Sequence, residues 1–247
     1  MENENYIGKS QKKKILLICI ILIVLTFATN YYGTTDLGDY SDTAKYFANR
    51  YSADIRSSHS YLYGFIHAPF VKLFDNFFIF KITSLLFLLA IVCSVYLMTN
   101  RNKKALLLIL LSPVVWYMAP WISPIQAASF FLLWAYYFIN KYEKNNKIRE
   151  LVYSGIFVGL GLAVWDTILF FGAFLIISFM FNKKFSHCLI ALIAIFIGLL
   201  PRLLLDQYLF DFAFFSLLKS FFGTLTNAFF LNRGTAYASS SFENLLF

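Results

Sequence analysis

Two acids, Asp36 and Asp39, stand three residues apart in the stretch Thr34-Thr35-Asp36-Leu37-Gly38-Asp39-Tyr40, just beyond the first long apolar run. On one helix face their Cβ atoms would lie roughly 5–6 Å apart. Carboxylates that close repel when both are ionised, so one tends to hold its proton to higher pH. Such a group can take a proton from a hydroxyl nucleophile. Carboxylate oxygens also suit a divalent cation, although two acids are too few to specify a site for one. The same pattern starts a helix, because Asp is a favoured N-cap and acids in the first turn complement the helix dipole. The residues leave both roles open, and one residue can fill both.

Other side chains with chemistry to offer are sparse. His59 and His67 flank the stretch from Ser60 to Ile66. Histidines there suit proton transfer or phosphate contact, and equally suit packing and hydrogen bonding at an interface. Asp166 interrupts an apolar stretch, and acids at membrane depth tend to be functional. Arg202 closes another apolar run. Its guanidinium can hold a phosphate bidentately, or its side chain can snorkel from a helix end. Cys19, Cys93 and Cys188 all sit in apolar runs, with neither a disulfide framework nor metal-ligand spacing. No metal site is expected from them.

The elements that must position these residues are set by composition. Of the 247 residues, 60% are hydrophobic and only 14% charged, which is unlike a soluble domain of this length. The expectation is an all-α fold, a polytopic transmembrane helix bundle of about seven spans. The spans fall at roughly 15–32, 77–99, 105–119, 122–140, 151–165, 167–181 and 186–206, at about 20 apolar residues per ordinary crossing. Residues 151–181 are too long for one comfortable crossing and are expected to turn near Trp165-Asp166. The organisation is then a cytoplasmic N-terminus over 1–14, a transmembrane module over 15–207 with an external loop at 33–76, and a Phe-rich interfacial tail or additional helix over 208–247. The basic run Lys12-Lys13-Lys14 before Ile15 to Ala28 could be mistaken for a signal peptide. It lacks a small-x-small cleavage site and is expected to remain as the first helix.

Charge fixes the orientation. The pieces 1–14, 100–104, 141–150 and 182–184 hold four, three, four and two Lys or Arg residues, 13 of the 21. These short basic pieces are expected in the cytoplasm. The net charge of +8 is explained by those loops, so nucleic acid is not expected as a partner. Asp36, Asp39, Asp166 and the Arg202–Asp206 region then fall together on the external face. Within the external loop, Tyr40, Ala44, Phe47, Ala48 and Tyr51 recur at helical spacing, which predicts an amphipathic helix lying on the membrane surface. Residues 59–70 predict a turn into a second, short apolar helix, with Pro69 suited to its first turn.

One span followed by an acidic external loop with surface helices resembles the GT-C superfamily of membrane glycosyltransferases. The stretch from Thr35 to Tyr46 is similar to the acid–Tyr–Ala-rich start of that family's first loop, especially in the dolichol-phosphate-mannose-dependent mannosyltransferases. Weaker echoes follow in order. They are Pro113 to Phe138, the element Gly159-Leu160-Gly161-Leu162-Ala163, and Leu200-Pro201-Arg202 with Asp206-Gln207-Tyr208. The chain departs from the pattern at Gln126, where many members carry an acid, and at Asp166-Thr167, where many carry Lys. It is also shorter than members usually are.

The resemblance implies transfer of a sugar, mannose in the most similar members, from a polyprenyl-phosphate carrier to an external acceptor. The acceptor would be a glycan, a lipid or a protein. By the motif match it implies Asp36 or Asp39 as the base; Tyr40, His59, His67, Asp166 and Arg202 are the candidate substrate-binding residues beside them, with Arg202 on the phosphate. Whether a divalent cation takes part is left open. Two other classes compete. A transporter or flippase would show helices broken symmetrically in two halves, and no internal repeat is visible. A non-catalytic membrane subunit would tolerate loss of both acids.

Overall fold

The computed structural model describes residues 9–29, 37–49, 60–74, 78–181 and 185–229. Every regular element among them is an α-helix. In chain order these are α1 (Lys9–Ala28), α2 (Leu37–Phe47), α3 (Leu62–Phe74), α4 (Phe78–Met98), α5 (Lys103–Leu110), α6 (Pro113–Met118), α7 (Ile125–Asn145), α8 (Ile148–Val164), α9 (Ile168–Phe181), α10 (Phe185–Phe210) and α11 (Phe215–Phe229). The seven stretches expected to span carry α1, α4, the α5–α6 pair, α7, α8, α9 and α10. Of these, α4 and α10 are long and apolar enough to cross a membrane unaided. The expected break near Trp165-Asp166 is a helix boundary, with Trp165 extended at φ −143° and ψ 125°. The tail beyond 208 begins with the last turn of α10 and continues as α11.

Local chemistry sets several boundaries. Asn102 caps α5, its side chain accepting from the Lys104 and Ala105 amides at 2.9 and 3.4 Å. Pro113 has no amide hydrogen and pushes Ser112 out of helical geometry to ψ 128°, which separates α5 from α6. Asn146 ends α7 in the left-handed region at φ 52°. At the end of α1, Lys81 Nζ on α4 donates to the carbonyls of Thr26 and Thr29 at 2.9 and 2.6 Å, groups a helix terminus leaves unpaired.

Large apolar side chains cover much of the outside as well as filling the core, and several polar side chains are buried with them. Leu86 on α4, Phe174 on α9 and Leu189, Ile193 and Leu204 on α10 are exposed. Ser84, Ser94, Glu150, Ser154, Arg202 and Asp206 are buried. The main core joins α7, α8, α9 and α10 through Ala135, Leu151, Val158, Leu175, Ala191 and Leu203. Where α8 meets α10, a Cβ on Gly155 would stand 2.5 Å from Ala194 Cβ, and one on Gly159 would stand 2.8 Å from Gly198 Cα. Small residues at this crossing let the two backbones touch.

Helix α2 differs from expectation in what it packs on. The stripe Tyr40, Ala44 and Ala48 is buried against the protein, not laid on a surface. Tyr40 meets Tyr63 of α3 edge to face at 5.3 Å. Gly64 makes the approach possible, since a Cβ there would stand 2.6 Å from Thr43 Cγ2. The reason is that α3 offers a complementary apolar face, which the periodicity of α2 alone cannot reveal. Tyr51, the last member of the stripe, lies outside the described residues. Pro69 sits inside α3 and not in its first turn, because the helix starts at Leu62.

Candidate functional site

The site is built around Arg202, on α10 one turn beyond Gly198. It is fully buried. Its Nε donates to Ser216 Oγ at 2.8 Å and its Nη1 to the Leu162 carbonyl at 3.0 Å. Nη1 also donates to Asp166 Oδ1, closing an ion pair. Asp206, one further turn along α10, is buried too. Its Oδ2 accepts from the Ser216 amide at 2.9 Å and from the Ser216 hydroxyl at 2.6 Å. Ser216 therefore links the cation to the carboxylate, its oxygen accepting from Arg202 and its proton donated to Asp206.

Two polar atoms in this cluster have no hydrogen-bond partner among the described residues. They are Arg202 Nη2, a donor, and Asp206 Oδ1, an acceptor. Buried polar atoms left unpaired are costly. Beside Asp166 a cavity of about 130 Å³ opens between the end of α8, the start of α9 and α11. Leu162, Phe170, Leu217 and Phe221 form its apolar wall, with Asp166 and Ser220 as polar points. The arrangement can hold an apolar chain beside a charged group. Asp166 lines the cavity and pairs with the buried Arg202 guanidinium, which does not itself line it.

Helices α2 and α3 are tied to the same end of the bundle. Ser60 Oγ donates to the Ala163 carbonyl at 2.5 Å and accepts from the Leu62 amide at 3.2 Å. Tyr61 stands against Phe210 with ring centroids 5.3 Å apart. Through α3, α2 is held at that end as well, and Asp39 lies in the first turn of α2. The junction of α6 and α7 belongs there too, for the Ser123 amide donates to Ser84 Oγ near the start of α4 at 3.4 Å. Gln126 is buried, its Nε2 donating to the carbonyls of Met118 and Trp121 at 3.2 and 3.4 Å.

Of the residues singled out from sequence, Asp166 and Arg202 meet directly. Tyr40 is buried between α2 and α3. His67 is buried on α3, stacked on Phe80 at 4.3 Å. Its Nδ1 donates to the Tyr63 carbonyl at 2.6 Å, and its Nε2 lies 3.0 Å from the Thr83 hydroxyl, which is also within 2.8 Å of the Ile79 carbonyl. Burial pushes its pKa down to about 4. Both ring nitrogens are thus occupied within the protein. Asp36 and His59 lie outside the described residues. Asp206 and Ser216 complete the cluster. Asp206 had a signal, an acid at i+4 from an arginine in an apolar helix. Ser216 had none, because its place depends on the turn at Asp211, where φ is 54°.

Comparison with protein-family models, with curated proteins and with solved structures found no match.

Proposed function

We propose that the chain is a membrane glycosyltransferase with seven crossings and a cytoplasmic N-terminus, moving a sugar from a polyprenyl-phosphate carrier to an external acceptor. Support for the membrane setting comes from the many large apolar side chains left exposed on the outside of the helices, among them Leu86, Phe174, Leu189 and Leu204. The observation that carries the transferase reading is the unpaired guanidinium nitrogen of Arg202, at the helix end to which α3 and α2 are tied. An anionic phosphate is a natural partner for that donor.

In the proposed reaction, Asp36 or Asp39 takes the proton of the acceptor hydroxyl. The acceptor oxygen forms a bond to the anomeric carbon of the sugar. The bond from that carbon to the phosphate oxygen breaks, and the lipid phosphate leaves with the electron pair. Arg202 Nη2 donates to the departing phosphate, whose charge grows as the bond lengthens. Asp166, partly exposed at the cavity, gives way to the phosphate on entry. Phe170 and Phe221 line the space for the first part of the isoprenoid chain.

The test is sugar transfer in membranes containing the protein, supplied with radiolabelled polyprenyl-phosphate sugars. Wild type is expected to transfer, and Asp36→Asn or Asp39→Asn to lose most of that activity at unchanged expression. Arg202 also supports a second reading, a non-catalytic membrane subunit, because its three hydrogen bonds join α8, the α8–α9 turn and α11 to α10. Absence of transfer from every donor, with the protein folded, would favour that reading.

A further inference from the structure

At the opposite end of the bundle, α4 and α7 enclose an open cleft of about 630 Å³. On α7 the cleft is lined by Leu133, Tyr136, Tyr137, Asn140, Lys141 and Lys144, spaced so that they share one helix face. On the other side it is lined by Val95 and Met98 of α4 and by Thr99 just beyond its end. Polarity is ordered along the axis. Leu133 and Val95 form the deep part, the two tyrosines follow, and the amide, the hydroxyl of Thr99 and the lysines form the mouth. From Leu133 to Lys144 the α7 wall runs roughly 16 Å, at 1.5 Å per residue.

We infer that this cleft binds an anionic phospholipid of the adjacent leaflet, with its phosphate between Lys141 and Lys144 and an acyl chain along Leu133, Met98 and Val95. The inference rests on the membrane part of the reading above and not on sugar transfer. A phospholipid has the same order of charge, interface and hydrocarbon as the cleft. Tyrosines are favoured at the level where headgroup meets hydrocarbon. Basic pockets between membrane helices on the cytoplasmic side are suited to anionic headgroups.

Charge favours an anionic over a zwitterionic lipid. The segments 100–104 and 141–150 hold three and four basic residues, seven in all, against the two acids Glu143 and Glu150. Lys141 is available to a ligand. It is 43% exposed and stands 3.7 Å from Glu150, which Arg149 Nε also reaches at 3.3 Å. A phosphate can draw Lys141 away while Arg149 keeps Glu150 paired.

The experiment uses the full chain in a neutral detergent, incubated with phosphatidylglycerol or phosphatidylcholine, with bound lipid counted by native mass spectrometry. Wild type is expected to retain phosphatidylglycerol in excess. The Lys141→Gln/Lys144→Gln variant is expected to lower that preference by roughly fivefold or more. The Lys103→Gln/Lys147→Gln variant, with the same charge change outside the cleft, is expected to keep it. Equal retention of the two lipids by wild type, or equal loss in both variants, would overturn the inference. Displacement of the lipid by equimolar glycerol 3-phosphate would assign the lysines to a soluble phosphate and overturn the lipid. Carbonate washing of the source membranes separates the underlying reading. Protein released by the wash overturns the membrane setting and the lipid site together, whereas retained protein without lipid preference overturns the lipid site alone. A failed sugar-transfer assay leaves the lipid result standing.

Discussion

Gly159 on α8 and Gly198 on α10 face each other so closely that a Cβ on Gly198 would stand 2.9 Å from Gly159 Cα. Arg202 sits one helical turn beyond Gly198, and its Nη1 reaches the Leu162 carbonyl, three residues beyond Gly159. The glycine contact therefore sets the distance over which Arg202 acts. Gly198→Ala should force α8 and α10 apart, since the near atoms are backbone and cannot rotate away. The expected loss is about 1–3 kcal/mol, the usual cost of overpacking. Thermal unfolding in detergent would measure it. An unchanged midpoint would show that the helices separate freely and that the crossing does not hold Arg202 in place.

Removing the cation should cost more than removing the whole cluster. Arg202→Met leaves Asp166 without its ion-pair partner and takes the Nε donor from Ser216, which bridges to Asp206, and breaking a buried pair costs about 3–5 kcal/mol. Adding Asp166→Leu and Asp206→Leu removes the stranded carboxylates, so the triple variant should regain part of that loss. Ser216→Ala alone strips an acceptor from Nε and a donor from Asp206, with about 1–3 kcal/mol expected. The comparison is a stability cycle on the same detergent-solubilised protein. Equal destabilisation by the single and triple variants would mean that the cluster contributes only volume.

Periodicity and charge made the helix positions readable, because both depend on neighbours along the chain. Asp166 inside an apolar stretch signalled the break between α8 and α9, since a charged residue there needs a wet turn or a partner. Arg202 and Asp206 stood out for the same reason. What no local pattern carries is who meets whom. The stripe Tyr40-Ala44-Ala48 shows an apolar face, yet only the fold supplies α3 and Gly64 to cover it. His67 reads as a titratable group, yet Tyr63, Thr83 and Phe80 decide its state. Ser216 acts ten residues from Asp206 through a turn that sequence leaves undefined.

The state of His67 has a pH signature. Its pKa falls to about 4 in the folded chain from the ordinary 6.5, so the unfolded chain binds more protons between those values. Stability from this residue is therefore complete above pH 6.5 and is lost as pH falls through about 4. The unfolding midpoint of wild type should drop across that window. His67→Leu should show a shallower drop, because the remaining carboxylates titrate in both proteins. Parallel pH profiles would mean that His67 is hydrated in solution.

Orientation decides whether the Arg202 cluster can meet an external substrate. In a background lacking Cys19, Cys93 and Cys188, a cysteine at Thr167 would report the α8–α9 turn, where that residue is exposed. A cysteine at Lys144 would report the opposite end, beside the α4–α7 cleft. The basic pieces 100–104 and 141–150 are expected in the cytoplasm. A membrane-impermeant maleimide added to intact cells should then label the first cysteine and spare the second until the cells are opened. Labelling of Lys144→Cys alone would turn the bundle over. Asp166 and Arg202 would then face the cytoplasm, and an external acceptor could not reach them.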